Sequence, residues 1–160
     1  MSNILVRSLA GVAMLIVSQQ AVAQEPIPYG TPITWEQAKK VIAAAEAEAV
    51  KQKWPVAIAV VDGAGHLVAF ARLDNTQLGS IELATEKAKT SAMFRRPSKF
   101  FEDGLAQGGA NLKFLRHPAL PIEGGLPIIV DGKVIGAIGV SGVRSSEGAQ
   151  VGQAGINALK

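Results

Sequence analysis

The sequence predicts an α+β domain, a mainly antiparallel sheet with helices packed on it. Two observations carry that prediction. Runs of β-branched residues come in pairs around short turns that contain Asp-Gly, and stretches with alanine at helical spacing separate the pairs. The order is helix, hairpin, helix, short helix, hairpin, helix. Hairpins pair neighbouring strands antiparallel, whereas a doubly wound nucleotide fold needs parallel strands joined by crossovers.

Residues 1–23 read as a signal peptide. Arg7 supplies a positive start, Leu9–Val17 a short apolar run, and Ala21-Val22-Ala23 a small-x-small cleavage site. The run is too short to span a bilayer. The plain alternative is a buried N-terminal helix. Cleavage places the mature start near Gln24, in the periplasm or outside the cell. Residues 24–33, with Pro26, Pro28 and Pro32, form an extended leader, and residues 34–160 form the domain.

Thr34 is an N-cap, and Gln37 completes a capping box three residues on. Ala38, Val41, Ile42, Ala45 and Ala49 then give the first helix a narrow apolar face, opposite Lys39, Lys40, Glu46 and Lys53. Pro55 closes it. Val56–Val61 and His66–Arg72 flank the turn Asp62-Gly63-Ala64-Gly65 as the first hairpin. After the polar connection Leu73–Gly79, Ser80 caps a second helix with the stripe Ile81, Ala84, Ala88 and Ala92, ended by Arg95-Arg96-Pro97. Ser98 caps a short third helix through about Gln107, which Gly108-Gly109 stops. Asn111–Leu120 is ambiguous, with room for a short strand. Pro127–Val130 and Lys133–Val140 enclose Asp131-Gly132, a pair that tolerates the positive φ angles of a type I′ turn. The segment from Glu147 to Lys160 carries Val151, Ala154, Ile156 and Leu159 and reads as a final helix, weakened by Gly148, Gly152 and Gly155.

Gly136, Gly139 and Gly142 recur every third residue in and after the last strand, with Gly124-Gly125 ahead of the hairpin. Glycine weakens a strand, so the series marks a place where a helix or a flat ligand lies very close to the backbone.

At 160 residues the chain has the length of one domain, and 48% hydrophobic residues provide a core while 18% charged residues argue against disorder. A net charge of +3 with no basic run beyond Arg95-Arg96 gives no concentrated face for nucleic acid. The chain has no cysteine, which excludes disulfides, thiolate–zinc sites and a cysteine nucleophile.

Gly63-Ala64-Gly65 joins two strands and has Val68 where a dinucleotide fingerprint needs glycine. His66 opens a strand after a glycine-rich turn, and His117 precedes Pro118 in a loop near Lys113 and Arg116. Either imidazole is suited to ligate iron or to act as an acid–base group, and either is equally an ordinary surface histidine. Glu82 and Glu86 stand one helical turn apart, but Lys87 and Lys89 make a solvated face the plainer reading. Asp62, Asp74 and Asp131 sit in turns, where aspartate serves the backbone. Arg72, at a strand end, is placed either to clamp a carboxylate or to pair with Asp74 or Glu82.

Several segments in series carry a resemblance. They are Val60-Val61-Asp62 with Gly65, Ala71-Arg72-Leu73-Asp74, and the helix running through Ala84, Lys87-Ala88, Thr90-Ser91-Ala92 and Phe94. Gly124-Gly125-Leu126-Pro127-Ile128, Gly136-Ala137-Ile138-Gly139-Val140-Ser141-Gly142 and Gln153-Ala154-Gly155 complete the set. Together they span nearly the whole mature domain and resemble the GlcG/HbpS-like haem-binding family, also found as the C-terminal domain of some cobalamin adenosyltransferases. The resemblance implies a profilin-like α+β fold with a five-stranded antiparallel sheet and flanking helices. It also implies assembly into symmetric homo-oligomers, often octamers, and haem as cofactor. Some secreted relatives are linked to haem degradation or iron-dependent redox sensing. Three positions depart from the family pattern: Leu126 stands where some members place a threonine near iron, Gly148 where an aspartate is common, and Thr85 where an acidic-x-x-Glu motif would end.

On this resemblance the expected function is exported haem binding, in haem or iron handling or redox protection. A macrocycle wants apolar walls, cations for its propionates and an iron ligand. The expected walls are the glycine-lined strand, Leu126 and Phe94, and the expected cations are Arg72, Lys87 or Arg116. His66, His117, Met93 and Tyr29 are the candidate iron ligands, a histidine being favoured. The expected partners are haem or another flat small molecule and further copies of the chain, without nucleic acid or stable membrane insertion once the leader is removed. Two other readings stay open. One is an accessory enzyme or binding protein for a small carboxylate, with Arg72 as anchor and His66 or His117 as acid–base group. The other is an oligomeric sensory or interaction subunit.

Overall fold

The computed structural model describes residues 25–160, so the expected signal peptide lies outside the described residues. Helix α1 (Trp35–Gln52) starts on the predicted capping box: Thr34 Oγ1 accepts from the Gln37 N–H, and Gln37 Oε1 accepts from the Thr34 N–H. It stops at Lys53, whose left-handed backbone (φ 60°) turns its N–H back onto Ala49 O and Val50 O. Strands β1 (Ala57–Asp62) and β2 (Leu67–Arg72) form the first hairpin, and β3 (Gly125–Val130) and β4 (Lys133–Ser141) the second. Asp131 and Gly132 take φ 50° and 72°, as a type I′ turn requires.

The sheet has four strands in the order β2-β1-β4-β3, every pair antiparallel. This corrects the five-stranded expectation. The extended leader does reach β4, where Pro28 O accepts from the Val134 N–H and the Gly30 N–H donates to Val134 O. It makes only an isolated bridge at Tyr29, because Pro26, Pro28 and Pro32 have no N–H to continue a ladder.

Helices cover both faces. Helices α1 and α4 (Ser145–Asn157) bury Val41, Ala45 and Val151 against Ile58, Val60, Ile138 and Val140. On the other face α2 (Ser80–Phe94) sets Ala84, Ala88 and Ala92 against Ala57, Ala59, Val61 and Ala137. That second layer is made of small side chains, so the α2 backbone comes down onto the sheet. Gly125 and Gly139 are cross-strand partners beneath it. A Cβ on Gly139 would lie 2.0 Å from Ala84 O, and one on Gly125 would lie 2.1 Å from Lys87 O.

The close partner of these glycines is therefore the protein's own helix. Gly136 is likewise filled by Val61 O and Ile33, and Gly142 by Pro55 O, so the expected open patch for a flat ligand is absent at these positions.

The remaining chain makes a lobe at the C-terminal end of α2. Helix α3 (Lys99–Ala106) is followed by a 3₁₀ helix over Gly109–Arg116, where the sequence left room for a strand. Ser98 does not cap α3 with its side chain; its Oγ donates to Ile122 O and accepts from the Gly125 N–H, tying the lobe to β3. Among the described residues no helix is long and apolar enough to cross a membrane.

Candidate functional site

The lobe is built from aromatic rings. Phe94 ends α2, Phe101 lies on the buried side of α3, and Phe114 comes from the 3₁₀ helix. Phe94 and Phe101 meet edge to face at 5.0 Å, Phe101 and Phe114 at 5.5 Å, within the favourable range for aromatic pairs. Gly104 makes room for this, since a Cβ there would lie 2.5 Å from Phe114 Cε2. His117 follows the 3₁₀ helix and lies 5.8 Å from Phe94, 5.8 Å from Phe114 and 6.4 Å from Phe101 between ring centroids.

The His117 side chain is exposed, and among the described residues neither ring nitrogen has a hydrogen-bond partner. Lys113 and Arg116 stand on the same 3₁₀ helix, and the Arg96 guanidinium stacks 4.4 Å over Phe100. The sequence-predicted residues His117 and Phe94 thus come together as an imidazole beside phenyl rings, with Lys113 6.0 Å over Phe114 and Arg116 next to His117 in the chain.

His66 stands apart from them, in the turn just ahead of β2 rather than opening the strand, with 80% of its side chain exposed. Its Nδ1 lies 3.4 Å from Asp62 Oδ2. Asp62 Oδ1 also accepts from the Ala64 and His66 N–H groups, so the aspartate does serve the turn backbone. Partial burial works to raise the Asp62 carboxyl, but those two N–H groups and the His66 ring outweigh it and hold it below the usual aspartate range. A carboxylate on one nitrogen leaves the other free to ligate or to accept a proton.

The other predicted residues are dispersed. Lys87, expected to meet a propionate, is only 3% exposed, and its Nζ donates to Val140 O at 3.1 Å. Burial pushes its ammonium below the ordinary lysine range, with Glu102 and Glu123 opposing. Leu126 lies on the opposite face of the sheet from Gly125 and packs toward Gly152 of α4, so it does not wall the His117 cluster. Arg72 lies on β2, the edge strand farthest from β3, and makes no ion pair among the described residues. Tyr29 and Met93 meet at an apolar hollow of about 500 Å³, but the Tyr29 hydroxyl already donates to Ala92 O and Met93 O. Glu86 pairs with Lys89 at 2.8 Å, as a solvated helix face should.

Phe101 and Phe114 were not singled out from the sequence. The signal was available: aromatics are 5% of the chain, yet four of its five phenylalanines fall between Phe94 and Phe114, just ahead of His117.

Residues 33–157 match the family described as haem degrading protein HbpS-like. The Escherichia coli (strain K12) protein GlcG is 41% identical over 110 residues, covering 68% of this chain and 81% of GlcG. The crystal structure of HbpS superposes with a TM-score of 0.74 at 31% identity, covering 87% of this chain and 99% of that one. The structure of PduOC in complex with haem superposes with a TM-score of 0.73 at 26% identity, covering 80% and 95%. Fold, segment order and sequence agree, and the chain belongs to the HbpS-like family.

Proposed function

We propose that the protein is an exported haem-binding protein and that the macrocycle lies against the His117–phenylalanine cluster. The observation that carries this is an exposed imidazole with both nitrogens unengaged among the described residues, set beside three phenyl rings, with Lys113 over Phe114 and Arg96 over Phe100. The donor set fits the group: imidazole for iron, phenyl faces for the ring, Arg116, Lys113 and Arg96 for propionates. Haem, when bound, supplies a redox-active iron; the protein's own part is to hold and orient it. The hollow beside Phe100, Gly104 and Phe114 is about 270 Å³, below the range of about 300–1,000 Å³ for enclosed ligand pockets. The guest would therefore lie across the lobe rather than sink into it. Membership of the family and the haem complex of PduOC support the reading.

Haemin titration tests it. The expected result is a saturable Soret shift that His117→Ala abolishes or alters and His66→Ala leaves unchanged. Absence of a saturable shift in the unsubstituted protein rejects haem binding, and loss of the shift in His66→Ala alone moves the ligand to the Asp62-oriented imidazole. Export rests on the signal at residues 1–23, and N-terminal sequencing of the periplasmic protein is expected to begin near Gln24. Homo-oligomer formation, up to an octamer, is proposed for the exposed Phe100, Leu112 and Leu115 of the same lobe, and light scattering in solution measures it.

A further inference from the structure

A second site, independent of the haem reading, lies at the opposite edge of the sheet. The end of α1 and the end of β2 border an open surface cleft of about 550 Å³, within the size range of ligand pockets, about 300–1,000 Å³. Each wall brings one cation and one carboxylate. Helix α1 contributes Glu46 and its left-handed C-cap residue Lys53, and the end of β2 with the turn after it contributes Arg72 and Asp74. Trp54 adds an aromatic wall.

All four charged residues are solvent-exposed, and among the described residues none forms an ion pair or a side-chain hydrogen bond, so all four are open to a guest in the cleft. Lys53 is fixed in a left-handed conformation by bonds to Ala49 O and Val50 O, and the Leu73 N–H is tied to Val56 O. Asn75, also lining the cleft, is a second non-glycine residue at positive φ (63°).

A guest carrying one sign would satisfy half of the charged groups and face repulsion from the rest. A carboxylate alone meets Arg72 and Lys53 but also Glu46 and Asp74; an amine alone has the converse problem. A small zwitterion satisfies both sets, its carboxylate on the Arg72 fork and its ammonium between carboxylates and the Trp54 ring. We infer that this cleft binds a small zwitterion of the α-amino acid class.

Trp54 reports on the cleft directly. The chain has two tryptophans, and Trp35 is exposed at the start of α1, away from the cleft lining, so a Trp35→Phe variant excited at 295 nm leaves Trp54 as the sole tryptophan emitter. That variant is titrated with each of the twenty L-amino acids, and with propionate and propylamine. Calorimetry on the unsubstituted protein repeats the panel. The expected result is saturable binding of at least one amino acid, with propionate and propylamine inert at the same concentration. Arg72→Gln and Asp74→Asn should each weaken it by about tenfold or more, the loss of one charge-assisted contact, with unchanged circular dichroism. No saturable response to any amino acid by either method overturns the inference, as does propionate binding as tightly as the amino acid.

Discussion

The seating of α2 on the sheet is tested by two glycine-to-alanine substitutions that differ only in what the new methyl group meets. In Gly139→Ala the Cβ arrives 2.0 Å from Ala84 O and 2.5 Å from Ala88 N, both helix backbone. Ordinary contact begins at 3.4 Å, so α2 must lift by about 1.4 Å or β4 must buckle. Either movement opens the layer of fully buried alanines and Val61 between helix and sheet. Overpacking a tight core costs about 1–3 kcal/mol, and a clash with backbone rather than with a side-chain tip belongs at the upper end. In Gly152→Ala the only tight neighbour is Leu126 Cδ1 at 3.3 Å, a movable side-chain tip, while Ile138 Cγ2 at 3.5 Å and Val140 Cγ2 at 3.7 Å are at ordinary contact distance. Alanine within a helix also gains up to about 1 kcal/mol over glycine, so this change should be neutral or stabilising. Urea unfolding followed at 222 nm separates the two. With a slope of about 1–3 kcal/mol/M, Gly139→Ala should lower the midpoint by about 1 M or more, while Gly152→Ala should hold or raise it. Equal midpoints for Gly139→Ala and the unsubstituted protein would mean that α2 does not rest on β4 as described.

Three further predictions concern stability and the lobe. Lys87→Met removes the buried ammonium. The depressed folded-state pKa means that the unfolded chain binds more protons between that value and about 10.4, so the stability of the unsubstituted protein should rise with pH through that window. Urea midpoints near neutrality and near pH 10 should show that rise in the unsubstituted protein and a smaller one in the variant; equal rises would clear Lys87 of the effect. Thr34→Ala breaks the α1 capping box and should cost about 1 kcal/mol in the same assay. Gly104→Ala drives a methyl into the Phe114 ring, and should cost about 1–3 kcal/mol and change the near-ultraviolet aromatic dichroism. If haem sits on the His117 cluster, the same change should weaken the haemin titration, whereas Gly152→Ala should not.

Much of the fold was legible because its signals are local. The capping box at Thr34 and Gln37 involves residues three apart, the Asp131-Gly132 turn needs only two backbone angles, and the alanine stripes of α1 and α2 repeat within one helix. Of the site, His117 and Arg116 were legible as chemistry and Phe94 as a wall, but not the company they keep. Lys87 shows why. On paper it is a cation on a helix among other charges; in the fold its Nζ reaches Val140 O, 53 residues away, because Gly124 and Gly125 let α2 sink.

By itself, then, the chain determined which stretches become helix, strand and turn, that a glycine-spaced strand would be approached closely, and the family to which it belongs. Only the tertiary structure decided what makes that approach, that the proline-bearing leader would add a bridge instead of a fifth strand, and that four charged residues from distant segments would face one cleft without pairing. The reason is physical. Backbone preferences and capping act over three or four residues, whereas the occupant of a gap between layers is set by the summed packing of residues tens of positions apart.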